Sequence, residues 1–179
     1  MRNIIYLLVL VSMFSCSTVR VNYDFDKSVD FSNYSTYNYY PEIQTGLSDL
    51  DSRRLFNAID STMQMKGILL SEEPDFYINI QSKSFVTPSN STVGVGLGGT
   101  SGNVGGGVSI GVPVGGSNLE REIIFDFVDS QKDALFWQAT SFSNLSDNSS
   151  PNTRERKLNE IVAKVFSKYP PVIKHGTKK

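Results

Sequence analysis

The chain has 179 residues, about two-fifths of them apolar, and a formal net charge of −1. That length suits one ordinary domain with a real core, and so balanced a charge offers no basic field for nucleic acid. With one cysteine, Cys16, and one histidine, His175, the chain has no clustered soft ligands for zinc or copper, and no cofactor is expected.

The first residues read MRNIIYLLVLVSMFSC. Arg2 supplies a positive start, and the apolar run Ile4–Val11 stops well short of a membrane span, which together are the marks of an export signal. Cys16 follows the small residue Ser15 just after that run. The arrangement resembles the lipobox of bacterial lipoproteins, with Met13 and Phe14 departing from the usual residues. Residues 1–15 are then the signal peptide, 16–18 the anchor segment, and Cys16 the lipidated residue. Lipidation also disposes of a lone thiol in an oxidising compartment, and a multiply acylated N-terminus holds firmly to a bilayer. Ser17-Thr18-Val19-Arg20 carries no acidic run, which favours an outer-membrane anchor facing the periplasm.

Val19, Val21, Tyr23 and Phe25 alternate with polar residues and predict a strand. A short aromatic strand is expected over Thr36–Tyr40, closed by Pro41. Its tyrosines Tyr37, Tyr39 and Tyr40 read either as a glycan-stacking surface or as ordinary strand aromatics. Asp24, Asp26 and Asp30 lack the ordered spacing of a calcium loop and read as strand edge and turn. Over Asp49–Lys66, Leu55, Phe56, Ile59 and Met63 share a helical face with Gly67 as the C-terminal cap. Asp51, Arg53, Arg54, Asp60 and Lys66 are read as its solvated face. FYINIQSKSFV then predicts a strand with Phe76, Ile78 and Ile80 on one side.

The segment from Thr92 to Gly116 holds most of the glycine and contains Gly94-x-Gly96-x-x-Gly99. A dinucleotide fingerprint needs a helix N-terminus after the glycines to face the pyrophosphate, and here three more glycines follow instead. The alternation of Val93, Val95 and Leu97, and later of Val108, Ile110 and Val112, predicts a hairpin. A Gly102-Asn103 turn would pair Val93 with Val112, Val95 with Ile110 and Leu97 with Val108. Burying these six side chains contributes about 1.5–3 kcal/mol each, whereas ordering some twenty residues costs about 1–2 kcal/mol each. Such an arm does not order alone: it docks on its own sheet, stays mobile, or binds a partner, another copy or a lipid surface through its apolar face.

Arg121, Ile123, Phe125 and Phe127 predict a strand that turns through DSQKDA into LFWQA. Asp126 and Asp129 read as solvated carboxylates or, alternatively, as an acid/base pair. Ser150 or Asn152 caps a last helix, with Pro151 in its first turn and Glu155 placed for a capping box. Its stripe is Leu158, Ile161, Val162, Val165, Phe166 and Tyr169, and Pro170-Pro171 ends it. His175 lies beyond, in a tail over 172–179, so no serine triad is expected. The order of elements predicts a single α+β domain over 19–171: a mostly antiparallel sheet with two helices packed on one face, plus a Gly-rich hairpin or loop insertion at 91–116.

Four stretches together resemble the lipoprotein family of domain of unknown function 4136: VNYDFDKSVDFSNYSTYNYY, KGILLSEEPDFYINI, DSQKDALFWQA and a final helix ending in YPP. The resemblance implies a lipid-anchored envelope protein with a variable glycine-rich insertion and no catalytic residues. The reading is therefore a non-enzymatic accessory or interaction module, held to the membrane by its lipid and meeting an envelope protein. The alternative is a binding module for a small apolar or glycan ligand.

Overall fold

The computed structural model describes residues 19–87, 92–95, 110–113 and 118–172. In chain order the elements are β1 (Arg20–Phe25), β2 (Thr36–Tyr39), α1 (Asp49–Met65), β3 (Leu69–Leu70), β4 (Phe76–Thr87), β5 (Thr92–Val95), β6 (Ile110–Pro113), β7 (Asn118–Asp129), β8 (Ala134–Ser143) and α2 (Pro151–Phe166). Six strands form one sheet in the order β1-β8-β7-β4-β2-β3. The β1–β8, β7–β8 and β4–β7 pairs are antiparallel, whereas β2 runs parallel to both β4 and β3. The fold is α+β as expected; the parallel edge and the two-residue β3 were not anticipated. Between β2 and β4 the chain must cross over, and α1 is that crossover, which forces the parallel pairing.

Strict alternation puts Phe76, Ile78 and Ile80 of β4 and Ile123, Phe125 and Phe127 of β7 on the helix side, all fully buried. Leu55, Ile59 and Met63 of α1 and Leu158, Ile161, Val162, Val165 and Phe166 of α2 close over them. Phe127 is the hub, with ring centroids 4.8 Å from Phe76, 4.6 Å from Trp137 and 4.8 Å from Tyr169. A bulge in β8 makes room for this packing: Phe127 faces Trp137 but Val128 faces Leu135, leaving Phe136 as the extra residue. Both Phe136 and Trp137 are thereby buried.

The helix ends behave as their residues dictate. Ser48 caps α1 by accepting from the Asp51 N–H, and Gly67, at φ +77°, takes the left-handed position after the last turn. Ser150 caps α2 with Pro151 next. Thr153, not Glu155, stands where a capping box needs its carboxylate, because the cap falls on Ser150 rather than Asn152.

The solvated face assigned to α1 holds for Arg53 and Lys66, which are exposed, and is corrected at Asp51, Arg54 and Asp60. Asp51 is 1 % exposed and is paired with Arg54 and Arg154. Asp60 Oδ1 accepts from the hydroxyls of Tyr37 and Tyr39 at 2.7 and 2.6 Å. Lys66 Nζ donates to the Tyr169 carbonyl at 2.8 Å. These groups bind α1 to β2, to α2 and to the chain after α2, partners that helical periodicity does not report.

β5 and β6 pair antiparallel in the expected register, Val93 facing Val112 and Val95 facing Ile110. Thr87 faces Asn118 at the end of the β4–β7 ladder, and five residues further on, Thr92 faces Pro113, five residues earlier on the returning strand. The two ladders share one register. Leu97, Val108 and the Gly102-Asn103 turn lie outside the described residues, as do Cys16 and His175.

Candidate functional site

The helices cover one face of the sheet, and the other face carries the alternate residues: Tyr77, Asn79, Gln81 and Lys83 of β4, Glu122, Ile124, Asp126 and Val128 of β7, and Gln138 and Thr140 of β8. β2 stops pairing with β4 at Ile78, and the chain from Tyr40 to Leu47 then runs beside β4 toward Ser82. Gly46 makes that path possible. At φ +73°, a Cβ there would lie 2.5 Å from the Ser82 carbonyl oxygen, so the backbone comes closer than any side chain permits. Glu42 also has positive φ, 58°, an uncommon conformation for a non-glycine residue.

Between this segment and the sheet lies an open groove of about 710 Å³, within the size range of ligand clefts. Tyr40 lines the groove, and its ring pairs with that of Tyr77 beside it, centroids 5.2 Å apart. Along the floor, Gln138 Nε2 donates to Asp126 Oδ1 at 2.6 Å and Asn79 Nδ2 reaches Oδ2 at 3.5 Å. Of the three tyrosines singled out in the sequence, only Tyr40 reaches this groove; Tyr37 and Tyr39 point their hydroxyls under α1 at Asp60.

A second cleft, about 490 Å³, opens near the β7–β8 turn beside Asp26, Asp30, Asp75 and Asp129. Asp26 accepts from Ser28 and Asp30 from Ser32, the turn roles read from the sequence. Asp129 is not the solvated turn residue expected: it is 7 % exposed. Its Oδ1 accepts from the backbone N–H groups of Gln131 and Lys132, and its Oδ2 from the Tyr34 hydroxyl at 2.8 Å. Burial pushes the Asp129 pKa up, but these donors outweigh it and hold the carboxyl below its ordinary value. Asp75 follows the same logic, with burial opposed by the N–H groups of Ser35 and Thr36. Tyr34 is pushed up by burial and by Asp129 and stays protonated. A general acid near neutrality needs a raised carboxyl, and in this cleft all four, Asp26 and Asp30 included through their Ser28 and Ser32 hydrogen bonds, are lowered. Asp126 and Asp129 sit on opposite faces of β7 and make no pair. Among the described residues no three carboxylate, imidazole or thiol groups come together to hold a metal ion.

Residues 21–171 match the family model described as Domain of unknown function (DUF4136). No curated protein matches the chain significantly in sequence. Among solved structures, it is similar to a PDZ domain protein from Parabacteroides distasonis, with TM-score 0.57 and 16 % identity over 94 % of this chain. This chain spans 40 % of that protein's length, and the likeness concerns the fold alone. PelC dodecamers from Paraburkholderia phytofirmans in two crystal forms align with TM-scores of 0.43 and 0.44 and identities of 11 % and 12 %, over 84 % of this chain and 95 % and 96 % of theirs.

Proposed function

This chain belongs to the DUF4136 family of domains of unknown function, and we propose that it is a non-enzymatic binding module of the bacterial cell envelope. In this reading a lipid on Cys16 anchors it to the outer membrane, facing the periplasm, and the sheet face left open by the helices meets an envelope protein. The observation that carries the reading is the asymmetry of the sheet. One face is sealed by two helices, and the other bears a groove walled by a backbone segment pressed against Ser82. The anchor is supported by Arg2, the apolar run Ile4–Val11 and the Ser15-Cys16 junction. The common register of β4–β7 and β5–β6 supports the arm of Val93, Val95, Leu97, Val108, Ile110 and Val112 as an extension of the same hairpin toward a partner.

Two experiments test the parts separately. A photo-crosslinking residue placed in cells at Gln81, on the open face, is expected to trap a specific envelope protein that the same probe at Arg53, on the outside of α1, does not. Equal capture at both positions, or none at either, overturns the open-face reading. Metabolic labelling with an alkyne fatty acid is expected to mark the wild-type chain and not Cys16→Ala. An unlabelled wild type removes the anchor and leaves the surface question intact.

A glycan ligand is the second reading, favoured by the Tyr40–Tyr77 ring pair beside the amide and carboxylate groups of Asn79 and Asp126. Ring faces and planar hydrogen-bonding groups together suit a sugar. Titration with envelope glycan fragments should then shift the Tyr77 ring resonances, and an unchanged spectrum rejects it.

A further inference from the structure

Arg121 lies on the helix side of β7, in line with the aromatic core, and is only 4 % exposed. A guanidinium keeps its charge when buried, so its place in a protein interior needs carboxylates or other acceptors held against its five donors. Here the carboxylate against it is Asp147, whose oxygens lie 2.9 and 2.8 Å from Nη2. Asp147 sits in the loop between β8 and α2, and 62 % of its side chain is exposed. On the other arm of the fork, among the described residues, Nη1 meets the long contact to Ser82 Oγ at 3.4 Å and Nε is buried without an acceptor.

Arg154, in the first turn of α2, lines the same cavity, which measures about 640 Å³. Its Nη2 donates to Ser48 Oγ at 3.1 Å and to the Asp51 carboxylate, and its Nε is likewise buried without an acceptor among the described residues. Ser48 and Ser84 complete the polar wall. Ser48 caps α1, and Arg154 comes four residues after the cap of α2, so the positive ends of both helix dipoles converge here.

The two acidic partners differ in kind. Asp51 is enclosed between Arg54 and Arg154 and cannot leave without stranding two guanidinium groups. Asp147 is exposed and can rotate into water, while Leu145, 2 % exposed, keeps its loop seated in the core. An incoming oxyanion would take the place of the Asp147 carboxylate on Arg121, so the number of ion pairs is conserved and the displaced carboxylate regains full hydration. Asp49, exposed at the start of α1, also lines the cavity and disfavours a multiply charged ligand.

We propose that this cavity is a binding site for a single oxyanion group, a phosphate or carboxylate carried by a larger ligand, in which the Asp147 side chain is a built-in occupant displaced from Arg121 when that group binds. The site opens on the helix side of the sheet, opposite the floor of the groove described above, with Gly46 as the one residue that lines both. The test is a titration of the full-length protein with inorganic phosphate and, separately, with acetate, at ionic strength held constant with chloride. The arginine Nε–H resonances and the thermal midpoint are the readouts. Saturable shifts of the Arg121 and Arg154 signals are expected, with Asp147→Asn binding at least fivefold tighter because the internal competitor is gone. Arg154→Lys, which removes the second fork without touching the buried Arg121, should weaken binding about tenfold. Response to phosphate alone or acetate alone assigns the ligand class and supports the site. The proposal falls if neither anion gives a saturable shift beyond chloride, or if Asp147→Asn binds no tighter than the wild type.

Discussion

The helix side of the β4–β7 hairpin changes character halfway along. From Phe76 to Ile80, facing Phe125 to Asp129, it is almost wholly apolar, and the rings of Phe127, Trp137, Phe136 and Tyr169 interlock over it. Two to four residues further, on the same strands, the same face and the same register, Ile123 is the last apolar residue of β7 and the face presents Ser82, Ser84 and Arg121, with Ser143 of β8 beside them. The difference lies in what covers each half. Both helices begin over the polar half, where Arg154 meets Ser48 and Asp51, and both finish toward the aromatic half, where Lys66 reaches Tyr169. Helix interiors bring apolar stripes; helix starts bring unpaired N–H groups and the residues that serve them.

Substitutions in the two halves should therefore fail for different reasons. Phe127→Ala, at the hub of the aromatic half, is expected to lose about 4 kcal/mol in urea denaturation through lost transfer energy and a cavity. Asp51→Asn in the polar half should lose about 3 kcal/mol, because Arg54 and Arg154 would keep their charges without a carboxylate. If Phe127→Ala proves the milder of the two, the polar half is the stability centre and the contrast is reversed.

Gly46→Ala should cost about 2 kcal/mol, since the new Cβ meets backbone at Ser82 in a left-handed conformation. The matching change at Gly67, also left-handed but with nothing within 4 Å, should cost about 1 kcal/mol. The gap between the two, measured by thermal denaturation, reports the close approach alone.

The pH dependence comes from the aromatic end. Asp129 and Asp75 have folded-state pKa values below their unfolded ones, so the stability they add is present above about pH 4 and is lost as pH falls through the folded values. Asp129→Asn should flatten the acid limb of the stability profile and leave the slope near neutrality unchanged. The smallest effect is expected on the open face: Gln81→Ala should change stability by less than about 0.5 kcal/mol. A larger loss there would mean that the open face is covered in the native protein.

Much of this fold is written locally in the chain. The α2 stripe from Leu158 to Tyr169, the alternation of Phe76, Ile78 and Ile80, the Gly67 cap and the Val93–Val112 register all follow from spacing along one segment, and the structure shows each of them. The candidate site was less legible. Tyr40 was visible as one of a cluster of tyrosines, but nothing in its neighbours distinguished it from Tyr37 and Tyr39, which anchor α1. The adjacent aromatics Phe136 and Trp137 were the one local sign of a bulge, since strict alternation cannot bury both.

The sequence by itself determined where the longer strands and both helices run and which side of each is apolar, because those periodicities act over a few residues through backbone geometry and burial. Only the tertiary structure decided the parallel edge at β2, the bulge at Phe136, and the roles of Asp51, Asp60, Arg121 and Asp129. A charged side chain looks the same in sequence whether it meets water or a partner 20 or 100 residues away. Which of the two it meets is settled when distant elements pack, because a buried charge persists only where the fold brings counter-charges and donors to it.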